Sequence, residues 1–162
     1  MPDPSSPTRI RPAGPDDLDG LVRLCAAHAA YERARYNPED KRARLGHLLF
    51  GPSPRLFGLV AEQGDVLVGY ATWSEEVSTW DAQLYAHMDC LYLDADARGS
   101  GIGRRLVSQV ARDALGRGCR LVQWQTPTFN TRALPFYDRL GATRLEKVRF
   151  YLDESAMKRL AG

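Results

Sequence analysis

Residues 91–106 read LYLDADARGSGIGRRL, and the fold turns on how this stretch is read. An apolar run, Leu91 to Leu93, leads into three glycines, Gly99, Gly101 and Gly103. From Gly101 to about Gly116 apolar residues then recur at helical spacing: Ile102, Leu106, Val110 and Ala114, with Val107 and Ala111 beside them. Arg104, Arg105, Ser108, Gln109 and Arg112 take the opposite side. The pattern is strand, glycine loop, helix. The first N–H groups of a helix lack intrahelical partners, and the macrodipole places about half a positive charge there. Glycines let a phosphate approach backbone that a Cβ would cover, and Arg98, Arg104 and Arg105 supply charge to neutralise it. A tight turn needing φ > 0 would demand the same glycines. Two nucleotide-binding patterns fail: no Lys-Ser or Lys-Thr follows the glycines, and the spacing is G-x-G-x-G with no acid closing the next strand, VQWQ.

Working outward, TRIRPA supplies a short first strand over Arg9 to Pro12. GPDDLDGLVRLCAAHAAYERA is helical. Pro15 suits its first turn, Asp16, Asp17 and Asp19 favour its positive end, and Leu18, Leu21, Val22, Cys25 and Ala29 keep the period. NPEDKRARLGHLLF opens a second helix with Asn37 as its N-cap. LFGLVAE, the turn Gln63-Gly64-Asp65 and VLVGYATWSE form a hairpin. LYAHMDCLYL, Leu84 to Leu93, is a buried strand. With a period of two, Asp89, Leu91 and Leu93 share one face, and Met88, Cys90 and Tyr92 the other. Downstream, Gly116 or Gly118 stops the helix, RLVQWQ is a strand, and TRALPFYDRLGA is a short helix ending at Gly141, with a Pro135 that strains its middle unless the helix begins late. TRLEKVRFYLD supplies one or two closing strands. Hairpins mixed with a single strand–loop–helix unit imply an α+β, or mixed α/β, sheet rather than a doubly wound one.

The length of 162 residues fits one domain, expected over 8–162, behind a disordered tail at 1–7. A net charge of +2 gives no footprint for nucleic acid or a membrane surface. No apolar stretch approaches a membrane span, and MPDPSSPTRI lacks the apolar core of a signal peptide. The scattered Cys25, Cys90 and Cys119 fit a reduced, cytoplasmic protein, and neither they nor His28, His47 and His87 have metal spacing, so no metal is expected.

Arg98, Gly101 and Gly103 fit the motif R/Q-x-x-G-x-G/A. Further on, Asn130, Ala133, Phe136, Tyr137, Gly141 and Ala142 fit N-x-x-A-x-x-F-Y-x-x-x-G-[AF], with one helix and one strand between the two motifs. In both, the sequence resembles the GNAT N-acetyltransferase superfamily. The resemblance covers almost the whole chain. It implies a central twisted, mostly antiparallel mixed sheet flanked by helices, with acetyl-CoA as acetyl donor. It further implies a cofactor site made of Leu91, Tyr92, Leu93, Arg98, Gly99, Ser100, Gly101, Ile102, Gly103, Arg104, Asn130 and Tyr137, and a homodimer paired through late strands. HAAYERARY, GYATWSEEVSTW and LYAHMDCLYLDADARGSGIG are similar to the polyamine and diamine branch. That branch carries paired acids late in the central strand, where this chain has Asp89 followed by Cys90, and Arg33 and Arg35 stand beside Glu32. The implied acceptor is a primary amine of a small molecule: a polyamine, a diamine, or a smaller amine bearing a carboxylate as an amino acid does.

Acetyl transfer needs a neutral amine, although an alkylammonium has a pKa of about 10. Asp89 is the candidate base, directly or through water, and a candidate binder of the substrate amine, or else a hydrogen-bonded structural acid. Tyr137 is the candidate acid for the leaving thiolate, against a plain core role. Leu91 and Leu93 offer backbone N–H groups to the thioester and pantetheine if the strand splays from its neighbour. Asn130 either holds the pantetheine arm or caps the helix after it. Glu32, Glu75, Glu76 and Asp81 add negative charge at an acceptor mouth or are merely solvated, and Tyr31, Trp73 and Trp80 are candidates for its wall. Cys90 as a nucleophile lacks a histidine on its strand face, since His87 lies elsewhere. Two other readings of the same fold are a protein or peptide N-acetyltransferase and a CoA-binding module without turnover. The aromatic, acidic WSEEVSTWDAQLY would close the mouth around a small molecule.

Overall fold

The structure, a computed structural model, describes residues 7–162; the tail expected over 1–7 lies, but for Pro7, outside the described residues. It divides into a larger unit ending at Asn130 and a smaller one from Thr131 to Gly162.

The larger unit is built on a five-stranded sheet in the order β1-β2-β3-β4-β5. Its strands are β1 (Thr8–Pro12), β2 (Phe57–Gln63), β3 (Val66–Ser78), β4 (Gln83–Leu93) and β5 (Val122–Gln123). The first four pair antiparallel and β5 runs parallel to β4. The hairpin between β2 and β3 turns at Gly64, whose φ of +58° suits glycine. β1 is pinned by Arg11, which bridges Asp17 at 2.6 Å and Glu62 at 2.9 Å.

Helices cover both faces. α3 (Ile102–Gly116) lays Ile102, Leu106, Val110 and Ala114 on a core that includes Leu59, Ala61, Ala71, Trp73, Ala86 and Met88. Its polar side faces water, as the sequence period requires. On the other face, Leu21 and Leu24 of α1 (Leu18–Tyr31) and Leu45 and Leu49 of α2 (Lys41–Phe50) pack with Val60, Leu67 and Tyr70. α2 starts later than the sequence suggests. Asn37 spends its Oδ1 on the Glu39 N–H at 2.9 Å, in a turn, and Asp40 is left-handed at φ +50°, so helix begins only at Lys41.

The period-two reading of the central strand needs correction. Thr72 pairs with Cys90 and Trp73 with Met88, so Asp89 is an extra residue without a partner, a β-bulge. One inserted residue reverses the facing of everything beyond it. Met88 therefore shares the α3 core with Leu91 and Leu93, while Cys90 and Tyr92 pack on the α1/α2 side.

In the smaller unit, α4 (Ala133–Arg139) holds Pro135 in its first turn, where no intrahelical N–H is lost. Of the two outcomes the sequence left open, a strained middle or a late start, the structure has the late start, at Ala133. The closing strands expected from TRLEKVRFYLD are not there: among the described residues, 142–153 form no strand. Strand is a paired state, and alternation alone cannot supply the neighbour. Leu145, Val148, Phe150 and Tyr151 are left exposed. The chain ends in a helix the sequence reading did not anticipate, α5 (Glu154–Ala161), capped by Asp153 Oδ1 accepting from the Ala156 N–H at 2.8 Å.

Candidate active site

β4 and β5 pair only at Ala86–Val122 and His87–Gln123, with the Ala86 N–H donating to the Leu121 carbonyl at 2.8 Å. From Met88 onward β4 has lost that neighbour, yet it stays paired with β3 as far as Leu93 opposite Gly69. The Asp94 N–H donates to the Val68 carbonyl at 2.9 Å. By the alternation of an antiparallel ladder, Tyr92 then also turns its N–H toward β3, and Leu91 and Leu93 turn theirs toward the edge that β5 does not cover. This is the splay expected from the resemblance.

At the end of β4 the chain passes through a 3-10 turn, Ala95–Ala97, into the glycine loop. Gly99 and Gly101 both have φ of +83°, and a Cβ built on either meets nothing within 4 Å. The turn itself thus demands glycine, and the space beside Gly99 and Gly101 is open. Ser100 Oγ donates to the Ala97 carbonyl at 2.7 Å. The arginines divide their work. Arg98 Nε donates to the Leu93 carbonyl at 2.9 Å, and its guanidinium lies 4.5 Å over the Tyr31 ring and 5.4 Å over Tyr92. Arg105 gives two hydrogen bonds of 3.0 Å to the Thr8 carbonyl. Arg112 binds Gln109. Among the described residues, Arg104 alone of these four makes no hydrogen bond or ion pair, and it is exposed beside the loop.

The acceptor-side candidates do not all meet. Asp89 is exposed on its bulge, and its Oδ2 accepts from Cys90 Sγ at 3.4 Å. Burial, then the Asp89 charge, pushes the Cys90 thiol up to about 12, which disfavours the thiolate that a nucleophile route would need. Glu32 lies 3.3 Å from His28 Nε2, and Glu75 lies 3.2 Å from Arg117. Glu76 accepts from Ser74, and Asp81 from Ser78. Trp73 is 1 % exposed and belongs to the core rather than to any wall. Trp80, 98 % exposed, sits at the tip of the β3–β4 hairpin, and the strand from Gln83 to Asp89 separates tip from bulge by roughly 20 Å. Tyr31 stands at the end of α1, with one ring face already occupied by Arg98.

Asn130 does not cap a helix, because α4 begins only at Ala133 with Arg132 before it. Instead Asn130 Oδ1 accepts from the Tyr31 hydroxyl at 3.1 Å, and Nδ2 donates to Thr126 Oγ1 at 3.2 Å. Tyr137, in the smaller unit, is half-buried on α4 with its ring centroid 5.1 Å from that of Phe136.

One polar cluster escaped the sequence reading. The Tyr70 hydroxyl, buried between the sheet and α1, lies 3.0 Å from His28 Nδ1, with the thiols of Cys25 and Cys90 among its polar neighbours. The spacing of His28 and Glu32 on one helix was a readable half of it; the partner on β3 was not. A separate hollow of about 240 Å³, lined by Asp16, Asp17, Arg23, Glu62 and Asp65 among others, shares no residue with the loop or the bulge.

A family model described as "Acetyltransferase (GNAT) family" matches residues 21–142, which takes in the splayed strand, the loop and the Asn130–Ala142 motif. The chain belongs to the GNAT acetyltransferase family. It is an acetyl-CoA-dependent N-acetyltransferase of α+β fold. It is 31 % identical to a thialysine N-epsilon-acetyltransferase of Bos taurus, over 94 % of this chain and 96 % of that one. It is 26 % identical to a D-amino-acid N-acetyltransferase of Saccharomyces cerevisiae, over 87 % and 88 %. In fold it is similar to an aminoglycoside N-acetyltransferase, AAC(6')-Iy, solved in complex with CoA, with a TM-score of 0.78, 20 % identity and coverage of 95 % and 99 %. Among the described residues no helix is long and apolar enough to cross a membrane, and no three His, Cys, Asp or Glu side chains gather as a metal site.

Proposed function

We propose that this GNAT enzyme acetylates a primary amine of a small molecule that also carries a carboxylate, an amino acid in character. The observation that carries the donor half is the parting of β4 from β5 after His87, which turns the Leu91 and Leu93 N–H groups toward the uncovered edge beside the glycine loop. Donors of that kind, left buried and unpaired, are costly, and an extended pantetheine arm is a ligand that satisfies them. The amides of Gly101 to Arg104, with Arg104, suit the pyrophosphate. Acetyl-CoA supplies an activated acetyl thioester there.

The acceptor half rests on charge. Two of the acids that would greet a polycation are engaged by basic groups, Glu32 with His28 and Glu75 with Arg117. Cys90 stands where the polyamine branch has its second acid. The thialysine and D-amino-acid enzymes to which the chain is similar are named for amino-acid acceptors. Asp89, exposed on its bulge, removes the ammonium proton through water. Tyr137 returns a proton to the departing sulfur, a phenol of pKa about 10 facing a thiol of about 8.5.

The exposed Leu145, Val148, Phe150 and Tyr151 fit burial in a homodimer, which sedimentation would reveal. Three free cysteines fit a cytoplasmic setting. The deciding experiment is a thiol-release assay with acetyl-CoA and a panel of lysine-like and other amino acids, diamines, polyamines and peptides. Highest kcat/KM on the amino acids supports the reading. Preference for spermidine or for peptides overturns the acceptor half, and CoA binding without turnover on any amine leaves a binding module.

A further inference from the structure

We propose that Tyr31, a side chain of α1, is a positioning residue of the donor site: it ties together the two cofactor motifs, setting Arg98 with its ring and Asn130 with its hydroxyl. This deepens the reading of the acetyl-CoA site and rests on it.

Three contacts carry the argument. The Arg98 guanidinium lies 4.5 Å over the Tyr31 ring while its Nε holds the Leu93 carbonyl at 2.9 Å. The Tyr31 hydroxyl donates to Asn130 Oδ1 at 3.1 Å. The Tyr92 ring backs Tyr31 edge-on, with centroids 6.4 Å apart. These partners come from the loop, from the chain after β5 and from β4.

Each contact restricts a degree of freedom that the donor site needs restricted. An arginine held by one Nε bond can still swing its plane; an aromatic face beneath it stops that. Asn130 has its amide plane held from both ends, by Tyr31 at Oδ1 and by Thr126 at Nδ2. An amide nitrogen carries two hydrogens, and Thr126 takes one. The second remains for a carbonyl of the bound arm. Tyr31 therefore pre-organises the donor site from the acceptor-side helix. The cation on its ring is the protein's own, not the ammonium of a substrate, which reverses the role its aromatic character suggests in the sequence.

The test separates donor from acceptor effects. Tyr31→Phe keeps the ring under Arg98 and removes the bond to Asn130; Tyr31→Ala removes both. Affinity for CoA is measured by calorimetry, and kcat and both KM values by thiol release with the best amine. Loss of one neutral hydrogen bond is expected to weaken CoA binding and raise the acetyl-CoA KM roughly fivefold. Loss of the ring as well should take this to roughly 10- to 30-fold. The amine KM and kcat should stay within about twofold, since neither group handles the amine or the proton. Tyr31→Phe placed in an Asn130→Ala background should weaken CoA binding no further, and this cycle stands if Tyr31→Ala fails to fold. A raised amine KM with unmoved CoA affinity would make Tyr31 an acceptor wall and overturn the inference, as would an unmoved value of every constant or full additivity in the cycle. If the wild-type chain itself binds no CoA, the donor-site reading falls and takes the inference with it; wild-type binding with an indifferent Tyr31→Phe sinks the inference alone.

Discussion

α3 begins and ends on glycines in the same backbone state, and the pair makes a controlled test of the phosphate site. Gly101 precedes the helix at φ +83° and Gly118 follows it at φ +85°; both are exposed, and a Cβ on either meets nothing within 4 Å. Replacing either by alanine incurs only the penalty of an L-residue in the left-handed region, about 1–2 kcal/mol. For a chain of this size each kcal/mol lowers Tm by about 2–4 °C. Gly101→Ala and Gly118→Ala should therefore lose similar stability in thermal unfolding without ligand. They should part on CoA. At Gly101 the new methyl enters the space through which a pyrophosphate reaches the amides, and the loop amides shift with the strained φ. Loss of one charge-assisted hydrogen bond is worth about 1.5–3 kcal/mol, roughly 10- to 100-fold in Kd. Gly118→Ala should bind CoA like the wild type. Calorimetric titration of both variants with CoA reads the difference. Equal Kd values for the two, with equal loss of Tm, would falsify the assignment of the phosphate to the start of α3.

Other expectations follow from the same geometry. Tyr137→Phe should lower kcat roughly 100-fold or more while leaving CoA affinity in place, because general-acid loss touches the chemical step alone; a fully active variant would strip Tyr137 of its proposed role. Cys90→Ala should retain acetyl transfer, and no acetylated enzyme should be trapped by mass spectrometry in the absence of amine, since the buried thiol is held up at about 12. Arg11 holds the Asp17 and Glu62 carboxyls below their usual range, chiefly through its hydrogen bonds to them. Carboxyls depressed in the folded state contribute stability above the unfolded pKa of about 4 and lose it as pH falls through their folded values. Arg11→Met should lower stability by about 2 kcal/mol at pH 7. It should also flatten the decline in stability below pH about 4 in denaturant titrations; an unchanged acid limb would refute the linkage.

Much of the site was legible in one dimension because its chemistry is local. A strand, glycines at 99 and 101, and a helix with Ile102, Leu106, Val110 and Ala114 on one side are all specified within α3 and the turn before it, and each has the conformation its neighbours demand. The Asn130–Tyr137 motif was likewise readable as a short helix, although where that helix starts around Pro135 was not. What could not be read depends on counting across strands. One unpartnered residue, Asp89, reverses the facing of the rest of β4, and nothing in HMDCLYL marks the insertion. The segment after Gly141 alternates like a strand, but among the described residues it has none to pair with. Arg98 looked like a phosphate ligand and Tyr31 like a substrate wall; tertiary packing turned them toward each other.

The order of residues by itself determined the glycine turn, the amphipathic helix behind it and the family, because backbone torsion and helical period are set by neighbours in sequence. Only the tertiary structure decided which acids remain unengaged, where β4 parts from β5, and that Tyr31 spans two motifs. Those outcomes are pairings between residues far apart along the chain, and the chain has to close on itself before they exist.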